Sequence, residues 1–342
     1  MVRVGLAGLG FMGGTHAQCH AAIPNAELVA VTDPEEDRRT KFADMYGATP
    51  YASLEDMLAS DIDMIDICMP THLHREAVEK AAAANKHVLC EKPMALTPQE
   101  CDAMIDAVNK AGIEFMVAHV IRFWPEYTVI KEILDSGKLG GIKWASATRV
   151  SPAPTWSWHE WLFNPQLSGG AVLDLHIHDL DLMAWILGKP KSVFSGGVKT
   201  DKGGLDSVFT TTTGHPNGTV GFAEGCLEMA AEFPFTMGLK LNLEGGSIEF
   251  NSRLSPSVLV AAADGGVVHP EVPQPEVPSA GTAGAGGNIE ALGGYFVEVD
   301  YFVNCIEKGE KPTVVTPEEA KFAVELCLAA TKSSDTGQPV AV

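Results

Sequence analysis

Asp174, His176, His178, Asp179 and Asp181 fall within eight positions of the run GGAVLDLHIHDLDLMAWILG, residues 169–188. Carboxylates and imidazoles this close together can ligate a metal, exchange a proton with a substrate, or simply form a polar helix face. The apolar period separates these readings. Leu173, Ile177, Leu180, Ala184 and Leu187 recur at three- and four-residue steps, which is the stripe of a helix. On a helix Asp174, His178 and Asp181 share a face, whereas His176 and His178 diverge. An H-x-H metal pair needs a strand, where i and i+2 point the same way. The expectation is therefore no metal. His176 and Asp179, and with them Asp181, are expected to cap, pack or support. An isolated D-x-x-x-H is more often a structural pair on a solvated face, so its chemistry depends on what else the chain carries.

A second constellation lies at the start. In VGLAGLGFMG, Gly8, Gly10 and Gly13 have G-x-G-x-x-G spacing, directly after an apolar strand and at the opening of a helix. The first glycine makes a tight turn, the second lets backbone approach a pyrophosphate, and the third lets helix pack on strand. Phosphates then meet unpaired N–H groups at the helix N-terminus. Asp33 ends the next strand, twenty residues after Gly13, where an acid reaches the ribose hydroxyls of a dinucleotide and repels a 2′-phosphate. This spacing favours NAD over NADP, with Arg38 and Arg39 keeping the phosphorylated cofactor open.

These residues need elements to hold them. VRVGLAG (2–8), ELVAVTD (27–33), DMIDICMP (63–70), HVLCEKP (87–93) and IEFMVAH (113–119) read as buried strands, with amphipathic helices between them. Thr97 and Glu100 form a capping-box pattern, and Gly112 supplies a C-cap. Alternation of this kind specifies a doubly wound parallel sheet. After residue 120 a helix at 125–137 and a strand at 141–150 lead into the Trp- and Pro-rich loop 151–168. From about 191 to 262 strand runs dominate, with EGG as a hairpin signal. A Pro- then Gly-rich loop covers 269–288. The expected fold class is α/β plus α+β: an N-terminal Rossmann sheet over 1–120, then an open, mostly antiparallel sheet domain over 121–342 with closing helices near 289–307 and 317–333.

The whole chain sets limits. Its 342 residues carry a formal net charge of −20, which argues against nucleic acid or an anionic membrane as partner. Seven scattered cysteines without C-x-x-C suit reduced thiols and a cytoplasmic setting. The N-terminus lacks the pattern of an export signal, and no run of about 18 apolar residues suggests a membrane span.

CEKPMAL (90–96), CMPTHLHREAVEKAAAANKHVLCEKP upstream of it, RFWPEY (122–127), SGKLGGI (136–142), GGAVLDLHIHDLDL and the C-terminal EVDYFVNCIEKGEKPTVVTPEEAKFAVELCLAATKSSDTGQPV together resemble the Gfo/Idh/MocA family over essentially the full length. The resemblance implies reversible oxidation of a sugar or cyclitol hydroxyl by a nicotinamide cofactor. It implies Lys92, Asp174 and His178 as catalytic residues. It implies cofactor contacts from the glycine loop (Gly8, Gly10, Phe11, Met12, Gly13) and from Asp33, Pro70, Thr71, His74, Glu91 and Lys92. Assembly into a homodimer or homotetramer through the C-terminal sheet is implied as well. In this reading His178 takes the hydroxyl proton, Lys92 stabilises developing alkoxide, and Asp174 binds a substrate hydroxyl and orients His178. Trp156, Trp158, His159 and Trp161 could bind a sugar ring, or anchor their loop or a subunit contact. Arg122 could reach substrate or form a structural ion pair. An NAD-dependent glycosidase or lyase working through transient oxidation, and a non-enzymatic NAD-binding sensor, stand as alternatives.

Overall fold

A computed structural model describes residues 1–199, 204–277 and 292–342. The N-terminal elements are β1 (Val2–Ala7), α1 (Phe11–Ala22), β2 (Ala26–Thr32), α2 (Glu36–Tyr46), β3 (Thr49–Tyr51), α3 (Leu54–Leu58), β4 (Met64–Ile67), α4 (His74–Ala83), β5 (His87–Glu91), α5 (Pro98–Ala111) and β6 (Phe115–Ala118). Their strands form one parallel sheet in the order β3-β2-β1-β4-β5-β6. Strands β4 and β6 are buried along their whole length, as strands covered on both faces by helices must be. Helix α5 begins with Thr97 accepting from the Glu100 amide while Glu100 caps the Thr97 amide, and Gly112 ends it in the left-handed region. The expected doubly wound sheet is present. It has one strand more than anticipated: β3 is a three-residue edge strand containing a proline, too short to leave a period in the sequence.

The chain continues through α6 (Pro125–Asp135), β7 (Ile142–Pro152), α7 (Pro165–Ser168), a π-helical turn (Val172–His176), α8 (Ile177–Leu187), β8 (Ser192–Lys199), β9 (Leu205–Thr213), β10 (Val220–Met229), β11 (Thr236–Leu243), β12 (Gly246–Asn251), β13 (Val258–Ala262), β14 (Val267–Val268), α9 (Gly293–Lys308), α10 (Pro317–Thr336) and β15 (Val340–Ala341). Nine strands form the second sheet, in the order β14-β13-β12-β11-β7-β10-β9-β8-β15. Only β7 and β10 pair in parallel; every other neighbouring pair is antiparallel. One face of this sheet is covered by α8 and the π-turn.

Contacts divide the chain into two units. One comprises 1–123, 156–161 and 275–321; the other comprises 124–155, 162–274 and 322–342. The first unit thus recruits α9, which packs on α1, and the tip of the Trp-rich loop. The stretch 269–277 contains no regular element, and the rest of the expected Pro/Gly-rich loop, with positions 289–291, lies outside the described residues. None of the seven cysteines forms a disulfide among the described residues.

Candidate functional site

The expected cofactor contacts lie at, or in the turn or first helical turn after, the carboxyl end of a parallel strand. The glycine loop follows β1, Asp33 follows β2, Pro70 and Thr71 follow β4, and Glu91 ends β5 with Lys92 directly after it. Strand order reverses between β1 and β4, the point at which doubly wound sheets open a ligand crevice.

The glycines divide the work as their spacing suggests. Gly8 sits at φ +88°, and a Cβ there would lie 2.6 Å from the Cys68 carbonyl. A Cβ on Gly13 would lie 1.9 Å from the Gly8 carbonyl, so helix and strand touch through backbone alone. A Cβ on Gly10 would meet nothing within 4 Å. Gly10 is also the N-cap of α1 and offers no side chain to the first helical amides. Open space over an uncapped helix N-terminus fits a pyrophosphate. Phe11 and Met12 form the first turn of that helix.

Asp33 is buried, with Oδ2 accepting from the Leu9 amide (2.8 Å) and Oδ1 from the Glu35 amide (2.9 Å). Each oxygen keeps a further lone pair for a ribose hydroxyl. The two arginines that left NADP open are turned to this same corner. Arg39 donates to the carbonyls of Asp33 and Pro34, and Arg38 Nη1 lies 3.8 Å from Asp33 Oδ1.

His74 joins two of the loops. Its Nε2 is 2.7 Å from the Met69 carbonyl and its Nδ1 is 3.0 Å from the Pro93 carbonyl, so one buried ring spans the turns after β4 and β5. Burial lowers its pKa, the carbonyl contacts notwithstanding. Thr71 is buried at the start of the turn Thr71–Leu73. Lys92 takes its place through its backbone, whose N–H donates to Glu91 Oε2 at 3.0 Å.

Four residues of this unit were not anticipated. His16 and His20 on α1, Asp66 in β4 and Glu298 on α9 are essentially inaccessible. Asp66 accepts His16 Nδ1 at 2.9 Å and His20 Nε2 at 2.8 Å, and the Cys68 thiol lies 3.5 Å from its other oxygen. The one group of potential metal ligands among the described residues, His16, Asp66 and Cys68, belongs to this network, and hydrogen bonds account for its geometry. A carboxylate inside the apolar strand run MIDI, opposite two histidines one helical turn apart, was the available signal. The run otherwise reads as core.

Arg122 is buried, with Nη1 donating to the Val314 carbonyl (2.9 Å) and to Glu319 (3.0 Å), the ion pair that stood as one of its two readings. The Trp156 ring lies 4.4 Å from that of Phe11, so the Trp-rich loop meets the glycine loop. Trp158 and His159 pack edge to face at 4.4 Å. His159 and Glu160 occupy consecutive left-handed conformations at φ 47° and 53°, costly for residues with a Cβ. Trp161 is half-buried in the same turn.

Asp174 and His178 belong to the other unit, apart from Lys92 in the chain's division. Asp174 lies in the π-turn and His178 in the first turn of α8, both partly exposed. Asp181, one turn after His178 along α8, is buried. His176 is buried against Thr210 Oγ1 at 2.9 Å, and burial, with the Arg149 charge, pushes its pKa down to about 3. Asp179 forms a buried two-pronged pair with Arg149 at 3.1 and 3.2 Å. These two side chains fasten the helix to the sheet and leave Asp174 and His178 as the accessible pair of the cluster.

Comparison with known proteins agrees with this anatomy. Residues 2–119 match the profile of an oxidoreductase family with an NAD-binding Rossmann fold, and residues 127–249 match the Gfo/Idh/MocA C-terminal domain. A scyllo-inositol 2-dehydrogenase (NAD(+)) of Bacillus subtilis is 29% identical, covering 99% of this chain and 96% of that protein. A myo-inositol 2-dehydrogenase of Thermotoga maritima is 33% identical over 57% of this chain. The chain spans only 58% of that relative, and 53% of an uncharacterized oxidoreductase of Streptococcus pneumoniae. The structure of a levoglucosan dehydrogenase in complex with NADH and levoglucosan superposes with a TM-score of 0.85 at 26% identity, covering 100% of this chain and 99% of that one. On both domain matches, in their order along the sequence, the chain belongs to the Gfo/Idh/MocA family of oxidoreductases.

Proposed function

We propose that the protein oxidises a secondary hydroxyl of a sugar, glycoside or cyclitol with NAD. The observation that carries this is the open Gly10 cradle beside Asp33, on the same strand edge as Lys92. The relatives named as inositol and levoglucosan dehydrogenases support the substrate class. The Asp33 carboxylate, which repels a 2′-phosphate, favours NAD over NADP.

A bound nicotinamide supplies a two-electron acceptor. The residues of the chain do the rest. His178 accepts the hydroxyl proton as the carbinol becomes a ketone, and returns it in the reducing direction. The Lys92 ammonium steadies the developing negative charge on the same oxygen. Asp174 binds a neighbouring hydroxyl and orients His178. The Trp156 indole, half exposed beside Phe11, offers a flat apolar wall for the C–H face of a ring or for the cofactor.

We also infer self-association through the second sheet. Trp144, Phe194, Phe209 and Phe222 are exposed on its strands, and Phe194 and Phe222 stand in one cross-strand row through Thr211. Aromatic side chains clustered on a sheet face suit a contact between copies.

The test is an absorbance screen at 340 nm with NAD and NADP over inositols, hexoses, uronic acids, anhydrosugars and aryl glycosides. NADH formation with one polyol class, abolished to below about 1% in His178→Ala, supports the reading. Release of an aryl group without NADH would move the assignment to an NAD-dependent glycosidase. Tight NAD binding with silence across the panel would move it to a sensor.

A further inference from the structure

The buried polar network of the first unit has a geometry that ordinary core packing does not require. His16 stands between two carboxylates: Nδ1 is 2.9 Å from Asp66 Oδ2, and Nε2 is 3.1 Å from Glu91 Oε1. The second contact is close yet not aligned as a hydrogen bond, so charge rather than direction must hold it. A neutral ring carries one N–H. Either neutral tautomer would leave an uncharged, electron-rich ring nitrogen close to a carboxylate oxygen inside the core, which is repulsive. Both acids are committed as acceptors elsewhere. Asp66 also meets His20 Nε2 and the Cys68 thiol, and Glu91 Oε2 accepts the Lys92 amide.

We propose that His16 is a permanently charged imidazolium bridging Asp66 and Glu91, and that this bridge is the positioning device for Lys92. The chain of contacts runs from α1 through Asp66 in the middle of the sheet, and through Glu91 at the end of β5, to the peptide that carries the lysine. Its purpose follows from the chemistry proposed for Lys92, on which this inference rests. An ammonium that must sit on one substrate oxygen gains little from a mobile backbone, since misplacement by about 1 Å costs on the order of 100-fold in rate. Fixing Glu91 as an ionised acceptor holds the Lys92 N–H, and with it the direction in which the side chain leaves.

The charges facing the ring agree with this state. Burial alone would lower the His16 pKa, but the Asp66 carboxylate raises it well above the ordinary value. Burial would raise the Asp66 pKa, and His16 holds it well below the carboxylate range. Glu298, contributed by α9, is the remaining acid. Burial and the Glu91 charge push its pKa well above the usual value, so it stays a neutral acid and adds no third negative charge. The core then balances one imidazolium against two carboxylates, with the Lys92 amide partly compensating the second.

Long-range ¹⁵N–¹H spectroscopy of histidine-labelled protein tests the charged state directly, with the His16 signal assigned by its loss in His16→Gln. Both ring nitrogens should show protonated-imidazolium shifts at pH 8.5; a neutral tautomer overturns the proposal. Hydrogen exchange tests the positioning. Asp66→Asn keeps the shape and removes the charge, and should speed exchange of the Lys92 amide at least tenfold. It should lower kcat about tenfold, with the KM for NAD within twofold of wild type. Unchanged exchange at Lys92 in folded Asp66→Asn would overturn the positioning role. Failure of the dehydrogenase reading looks different: an inactive wild type whose spectra and exchange still follow the pattern above.

Discussion

At the scale of single residues, the chemistry rests on groups the fold has already committed. Asp33 spends one lone pair of each oxygen on backbone amides and keeps the others for a ligand, and His176 is held neutral by burial. The Glu298 carboxyl yields a stability prediction whose sign is fixed by its raised pKa. Such a group costs stability once pH exceeds the unfolded value, about 4.3, because only the unfolded chain then releases the proton freely. Glu298→Gln removes that cost. Its melting temperature should exceed wild type by ~3–6 °C at pH 8, with the gap closing as pH falls towards 4.5, as thermal scans across that range would show. The acids and histidines of the opening helix were legible as a cluster. Which of them are accessible was not, because a heptad-like stripe carries no information about a local π-turn.

At the scale of elements, glycines at close approaches govern the placement of side chains several residues away. On β10 a Cβ at Gly225 would lie 2.8 Å from Nδ1 of His176, whose ring is held from the other side by Thr210. Gly225→Ala must therefore push the π-turn that carries Asp174. We expect a loss of about 1–3 kcal/mol, read as a lower denaturation midpoint, together with a kcat reduced roughly tenfold at unchanged KM for NAD. The Rossmann elements were readable because each local signal agreed with the next: buried strand runs, the Thr97 capping box, the Gly112 cap. Strand β3 was not, since three residues of an edge strand cannot show a period. The recruitment of residues 156–161 and of α9 into the first unit was also invisible. It depends on contacts distant in sequence, such as Trp156 on Phe11, that no local pattern encodes.

At the scale of the whole molecule, two features set what the chain can associate with. Among the described residues no helix is long and apolar enough to cross a membrane, and the formal charge is −20. Against that acidic background the aromatic face of the second sheet is the conspicuous exception. The self-association proposed through it should be lost in the double variant Phe209→Glu, Phe222→Lys, seen by light scattering as a fall to the mass of one chain, while each chain keeps its fold by circular dichroism. The order of motifs along the chain was legible from end to end, which is why the family could be inferred from sequence. The substrate was not, because selection among ring stereoisomers is decided by side-chain positions that no local motif encodes.

The central claim is direct transfer between a carbinol carbon and NAD. A substrate from the screen, deuterated at the carbon to be oxidised, tests it most directly by mass spectrometry of the nucleotide product. One deuterium per NADH formed, with kcat/KM slowed about two- to fourfold by the label, is the predicted result. Deuterium appearing in water, or returned to the sugar product with no net NADH, would contradict it.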